Sequence, residues 1–223
     1  MKNTVKILAL ADIHGDMNRI PRIAESLKEA DIVLLVGDIT NFGGTDKARQ
    51  VMDILTRYNP KVFGVHGNCD LPGVEEVLRQ MDGCLNHSCL TVQDVQFIGV
   101  GGSLPCPGVT PSEIGESVFQ DILDGMVEMV DMNKPWIFVS HQPPYGTKID
   151  AVSPSRHTGS QAIRRFIEQY QPVLAVSGHI HEACGMDKLN ETILVNPGPF
   201  CKGCYAVIEV NGRAVKANFN RID

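Results

Sequence analysis

Ile32-Val33-Leu34-Leu35-Val36-Gly37-Asp38 is an unbroken aliphatic run that ends in a glycine and a carboxylate. An apolar run of this length, bounded by polar residues, reads as a strand buried on both faces of a parallel sheet. Gly37 lets the chain leave the strand without a side chain in the way. Asp38 then stands at the strand's carboxyl end, where open α/β sheets hold their ligands.

Four other apolar runs end in the same manner. Val5 to Ala11 runs into Asp12-Ile13-His14, and Val62 to Val65 into His66-Gly67-Asn68-Cys69-Asp70. Pro135 to Ser140 delivers His141, and Val173 to Ser177 delivers Gly178-His179-Ile180-His181. Residues two apart in an extended segment point the same way, so Asp12 and His14 can converge on one point.

Between these strands the apolar spacing is helical. Ile20, Ile23, Ala24 and Leu27 predict a helix within Met17 to Ala30. A second helix is expected to run to Arg57, capped by Thr45 or Asp46. Pro72 suits the first turn of a helix towards Gln80. A long helix is expected from Ser112-Glu113 to Met132 despite Gly115 and Gly125, and another from Gly159 to Tyr170. Thr91 to Val100 reads as a hairpin turning at Gln93-Asp94, which would begin a second sheet. The tail adds strands at Thr192–Val195, Tyr205–Val210 and Ala214–Phe219. Alternating β and α units with antiparallel strands appended predict two packed sheets with helices outside. No linker or repeat divides the chain, so residues 1–223 are expected to form one domain.

Composition narrows the function. The 223 residues are 43% hydrophobic and 21% charged, ordinary for a globular protein. No apolar run approaches the roughly 20 residues of a membrane span, and strand-like sequence starts just after Met1-Lys2-Asn3. A cytoplasmic protein with no membrane partner is the expectation. The net charge of −6 argues against an extended nucleic-acid surface, which needs Lys and Arg to neutralise phosphates. Seven cysteines, an odd number, do not read as a disulfide framework. Cys201-Lys202-Gly203-Cys204 has the spacing of half a zinc knuckle but no matching second pair, so it is read as structural. The sequence leaves the oligomeric state open, a homo-oligomer included.

The strand-end residues Asp12, His14, Asp38, Asn68, His141, His179 and His181 comprise two carboxylates, one amide oxygen and four imidazoles. Singly each is a weak signal: Gly-Asp and Gly-Asn are common turn pairs, and a lone histidine is often a hydrogen-bonded core residue. Jointly they suit two divalent ions of intermediate hardness, manganese first, with iron, zinc or nickel as alternatives. Magnesium would rarely recruit four histidines. Two ions about 3.5–4 Å apart can share a hydroxide that attacks phosphorus in line while both polarise the phosphoryl oxygens.

The five blocks, Asp12-Ile13-His14, Gly37-Asp38, Gly67-Asn68-Cys69-Asp70, His141 and Gly178-His179-Ile180-His181, resemble those of the calcineurin-like metallophosphoesterase superfamily. That resemblance implies an α/β fold, a four-layer α/β-β/α sandwich of two mixed sheets flanked by helices. It also implies a dinuclear centre, with Asp12, His14, Asp38 and His181 on one ion. Asp38, Asn68, His141 and His179 would hold the other, Asp38 bridging. The implied reaction is phosphoester hydrolysis, with Asn68, Cys69 and Asp70 in the catalytic block.

Two departures from the family pattern carry information. Where the superfamily usually has Gly-Asn-His, this chain has Gly-Asn-Cys69, as a branch of small prokaryotic phosphodiesterases also does. A thiol is a weaker donor than imidazolium, so the leaving group must be good or the acid must lie elsewhere. His157 is the candidate acid, against the plainer reading of a surface or capping histidine. The chain also lacks the phosphate-clamping arginines that phosphatases of the superfamily carry after Gly-Asp and after the Asn block. Lys148 and Arg156 read more simply as solvated side chains. A small phosphodiester, with less charge than a monoester, is therefore the expected substrate. A protein-interaction scaffold on the same fold, a nuclease and a phosphomonoesterase are the alternatives.

Overall fold

The computed structural model describes residues 4–222, so the Met1-Lys2-Asn3 start lies outside the described residues. One sheet has five strands in the order β13 (Ala214–Arg221), β12 (Cys204–Asn211), β1 (Thr4–Leu10), β2 (Ile32–Val36) and β3 (Val62–Val65). β1, β2 and β3 are parallel; β12 joins β1 antiparallel and β13 extends that edge. The other sheet has six strands in the order β10 (Gly185–Leu189), β11 (Thr192–Asn196), β9 (Leu174–Ser177), β6 (Trp136–Ser140), β5 (Val95–Val100) and β4 (Cys89–Val92). Its four central strands are parallel and its two edges antiparallel.

The period-2 alternation of the strands builds three apolar layers. Leu8, Leu10, Val33 and Leu35 pack against α1 (Ala24–Glu29), α2 (Thr45–Thr56) and α3 (Pro72–Gln80). Ile7, Ala9, Ile32, Leu34 and Val36 face the opposite way and meet Phe97, Ile137, Val139 and Val176 of the second sheet. That sheet's far side, including Ile98, Phe138 and Ala175, packs on α4 (Glu116–Met126) and α5 (Gln161–Tyr170). This is the expected helix–sheet–sheet–helix sandwich.

Several elements depart from their expected bounds for local reasons. The Met17–Ala30 helix is interrupted: a short 3₁₀ turn at Ile20–Ile23 precedes α1. Pro21 has no N–H to continue a ladder backwards, so regular structure starts there. Neither Thr45 nor Asp46 caps α2; the cap is Gly44, with no side-chain bond. α4 begins at Glu116 with Gly115 as its extended cap, because Glu113 folds back onto Thr110. It gives way to a 3₁₀ turn at Val127–Met129, short of Met132. α5 starts after Ser160, whose hydroxyl accepts from the Ile163 N–H. Glu116 adds a carboxylate at the same helix start, accepting from the N–H groups of Gln161 and Ala162.

The expected hairpin is present. Val92 pairs with Val95, and Gln93 (φ 48°) and Asp94 (φ 66°) both take the left-handed conformation of a type I′ turn. Two elements had no sequence signature: the edge strand β10, with its polar alternation, and a small ribbon of β7 (Ala151–Ser153) and β8 (Arg156–His157). Cys201 falls in a 3₁₀ turn and Cys204 opens β12. No helix of the described residues is long and apolar enough to cross a membrane.

Candidate metal centre

The carboxyl ends of β1, β2 and β3 face those of β6 and β9 across the inter-sheet layer. Backbone bonds lock the first two ligand loops together: Asp12 N–H donates to Gly37 C=O (3.1 Å), and His14 N–H to Asp38 C=O (2.8 Å). On the other sheet Gly178 N–H donates to His141 C=O (3.1 Å). Asp12, His14, Asp38 and His179 all have positive φ, at 53°, 48°, 48° and 67°. Such backbone costs of order 1–3 kcal/mol per residue and gathers where surrounding structure serves a function. Space is equally constrained. A Cβ at Gly37 would overlap the His141 ring, and one at Gly67 would overlap the Asp38 carboxylate and amide nitrogen.

All seven strand-end candidates converge. Asp38 sits between two imidazoles: Oδ2 is 3.7 Å from His14 Nε2, and Oδ1 is 3.5 Å from His141 Nε2. His14 Nε2 and His181 Nε2 are 3.4 Å apart, and His181 Nε2 is 3.3 Å from Asp12 Oδ1. Asn68 Oδ1 lies 2.9 Å from His141 Nε2, and the rings of His141 and His179 stack edge-on at 5.1 Å. The His179 N–H donates to Asp12 Oδ2 (3.2 Å).

The donor set fits divalent cations. Asp12 with His14 and His181, Asp12 with Asp38 and His141, and His14 with Asp38 and Cys69 each bring one ligand atom per residue within 4.8 Å of the others. Asp12 Oδ1 is buried and accepts no hydrogen bond. His141 Nδ1 lies 2.8 Å from the Val36 carbonyl, which only accepts, so Nδ1 carries the proton and neutral His141 offers its Nε2 lone pair to the centre.

Charge in the metal-free protein follows from burial and neighbours. Burial opposes ionisation of Asp38, but His141, His14 and the Cys69 N–H hold its carboxyl well below the usual range. Burial also works against charge on His141, yet Asp38 pushes it up to about 9. Burial and the charge on His141 push His179 down to about 4. Burial lowers His14 despite Asp38 and Asp12, whereas the Asp12 carboxylate, 3.3 Å from His181 Nε2, raises His181 against burial. Stability from His141, whose folded value is raised, is fully present below about 6.5 and lost as pH rises through about 9. Stability from neutral His179, whose folded value is depressed, is present above about 6.5 and lost as pH falls through about 4. Metal-free protein should therefore melt at its highest temperature between roughly pH 6 and 7. Calorimetric scans from pH 4 to 9 test this; a midpoint that climbs steadily towards pH 9 would refute the assignment.

The catalytic-block residues separate into different places. Burial, then Asp38, pushes the Cys69 thiol far up, so it stays protonated at the rim of the centre. Asp70 is fully buried and does not face the centre. Its carboxylate accepts from the N–H groups of Ile39 (3.0 Å), Thr40 (2.7 Å) and Gly67 (2.9 Å), stapling the Asp38 loop to the Asn68 loop. Burial, then Asp38, raises Asp70 to about 6. His157 does not join the cluster either: its Nδ1 is 2.7 Å from buried Asp150 and its ring lies against Tyr145. Its neighbours Arg156 and Thr158 do line a cavity of about 510 Å³ that opens on His179, walled by Leu104, Pro105, Pro107 and Ile180. Lys148 is not on that wall. Asn196 ties the tail to the histidine loop, its amide donating to Ile180 C=O (3.0 Å). No motif pointed to Thr110 and Glu113, whose side chains sit behind Asn68.

The pattern of the calcineurin-like phosphoesterases matches residues 5–183, from β1 through the His179–His181 loop. This chain is a calcineurin-like phosphoesterase. Membership makes it a hydrolase of phosphoester bonds that uses divalent cations, and the clustered carboxylates and imidazoles are candidate ligands for them. The phosphoesterase is 34% identical over 203 residues to protein MJ1162 of Methanocaldococcus jannaschii, spanning 89% of this chain and 90% of that one. TT1561 of Thermus thermophilus shares the fold at a TM-score of 0.77 and 18% identity, over 96% of this chain and 98% of that one. A solved archaeal phosphodiesterase superposes at a TM-score of 0.50 and 14% identity, over 97% and 100% of the two chains.

Proposed function

We propose that this phosphoesterase cleaves small phosphodiesters using two divalent ions, manganese foremost, held on either side of Asp38. The observation that carries the reading is the placement of Asp38, with one carboxylate oxygen towards His14 and the other towards His141. Asp12, His14, Asp38 and His181 would hold one ion, and Asp38, Asn68, His141 and His179 the other. When bound, such a pair supplies Lewis acidity and an activated water for in-line displacement at phosphorus.

The protein's own part is positional. The Val36 carbonyl keeps the His141 proton on Nδ1, and the His179 N–H steadies Asp12. The cavity beside His179 combines apolar walls (Leu104, Pro105, Pro107, Val152, Ile180) with polar Gln142 and Thr158, and its exposed Arg156 guanidinium is offset by the exposed Glu182 carboxylate, a lining suited better to a diester of low charge than to a monoester. Cys69 presents a protonated thiol where the family usually has histidine. A thiol is a poor proton donor, which favours substrates with good leaving groups. His157, committed to Asp150 and off the cavity wall, is the weaker candidate for the acid.

Hydrolysis of bis-p-nitrophenyl phosphate is expected to require added Mn²⁺ or a similar ion and to exceed that of p-nitrophenyl phosphate. Protein that binds two ions yet cleaves only the monoester would overturn the diester assignment.

A further inference from the structure

Asn68 must present its amide oxygen, not its NH₂, if it is to face a cation beside His141. An amide is nearly symmetric in shape, so something has to select the orientation. Asn68 Oδ1 lies 2.9 Å from His141 Nε2, and Nδ2 lies 2.9 Å from Thr110 Oγ1. The Thr110 hydroxyl in turn lies 2.7 Å from Glu113 Oε1. We propose that Glu113 and Thr110 are positioning residues: the Thr110 hydroxyl donates its hydrogen bond to the carboxylate, and the hydroxyl's lone pair then accepts from the Asn68 NH₂, turning the amide oxygen to the centre.

The donor logic runs one way. An ionised carboxylate only accepts. Glu113 is kept ionised by the Cys106 thiol at 3.1 Å and by the hydroxyl and N–H of Thr110, which together pull it down to about 2. With its proton committed to Glu113, Thr110 Oγ1 can only accept from Asn68. The weak sulfur acceptors Cys69 (3.6 Å) and Cys106 (4.0 Å) lie on the same Nδ2 side. Backbone ties hold the relay in register: Ser112 N–H donates to Asn68 C=O (3.1 Å), and Ser112 Oγ to Asp70 C=O (2.7 Å). Thr110-Pro111-Ser112-Glu113 has the spacing of a capping box, yet no α-helix starts there; the carboxylate serves Thr110 instead.

The inference rests on the reading of Asn68 as a ligand, and its test is read on ion binding rather than turnover. Thr110→Val keeps the shape and removes the hydroxyl; Thr110→Ser keeps the hydroxyl; Glu113→Ala removes the carboxylate. Mn²⁺ titration calorimetry is expected to show two ions in the wild type. Outer-shell partners are worth about 10–100-fold in metal affinity, so Thr110→Val and Glu113→Ala should each weaken one ion by that factor and spare the other. Thr110→Ser should bind like the wild type, and melting of the metal-free variants should confirm that they fold. Wild-type affinity for both ions in Thr110→Val and Glu113→Ala would overturn the relay. So would an equal loss in Thr110→Ser, or a wild type that binds fewer than two ions. Wild-type protein that binds two ions but hydrolyses no diester would remove the proposed function and leave the relay standing.

Discussion

Asp38→Asn is expected to reduce kcat/KM on a diester by well over 100-fold and to cut bound Mn²⁺ from two ions per chain to one or none. Partners that merely support a ligand already cost about 10–100-fold when removed. Asp38 faces histidines on both sides, so its loss weakens both ions together. Asparagine is the informative replacement. It tolerates the positive φ of 48° at this position, and its Oδ1 can still accept the Cys69 N–H, which lies 2.8 Å from Asp38 Oδ1. The charge disappears while the loop keeps its shape. Metal analysis after dialysis, alongside turnover, reads the result; a folded Asp38→Asn protein that keeps two ions would contradict a shared carboxylate.

Gly67→Ala should be among the most damaging small changes in the chain. The new methyl would meet the Asp38 carboxylate and its backbone nitrogen, neither of which has room to move. Asp38 is 3% exposed and its loop is bonded to both the Asp12 loop and Asp70. Overpacking a rigid interior costs roughly 1–3 kcal/mol, which for a chain of this size lowers Tm by very roughly 2–12 °C. The affinity for metal should fall with it, because relief must displace Asp38 or shift the loop that carries Asn68. Thermal melts of the metal-free protein with Mn²⁺ titrations test both halves. An alanine variant with unchanged Tm and unchanged Mn²⁺ affinity would show that the Asn68 loop is looser than its packing indicates.

The convergence of the candidate ligands was legible in the sequence because each of them follows closely on an apolar run. Asp12, Asp38, Asn68, His141 and His179 sit where buried parallel strands end, and parallel strands deliver their ends to a common edge. Two sheets packed face to face then bring the edges together. What the pattern did not disclose depends on partners distant in sequence or on loop chemistry. Asp70 has a motif position that suggests catalysis, yet its carboxylate is filled by the N–H groups of Ile39 and Thr40, 31 and 30 residues away. His157 is claimed by Asp150, itself fixed by the N–H groups of Gly146, Thr147 and Gly159 in a loop without periodicity. The late start of regular structure, at Ile20 rather than Met17, was written in Pro21, but the break at Ile23 was masked because the helical spacing of Ile20, Ile23 and Leu27 continues through it. The start of α4 was obscured in the same way, because Glu113 looks like a first-turn residue until its carboxylate is seen to return to Thr110.

The central claim is that two cations share Asp38. Anomalous scattering from Mn²⁺-loaded crystals tests it most directly. Two peaks are expected, one on the side of Asp12, His14 and His181 and one on the side of Asn68, His141 and His179. A single peak, or two peaks that do not flank Asp38, would contradict the account.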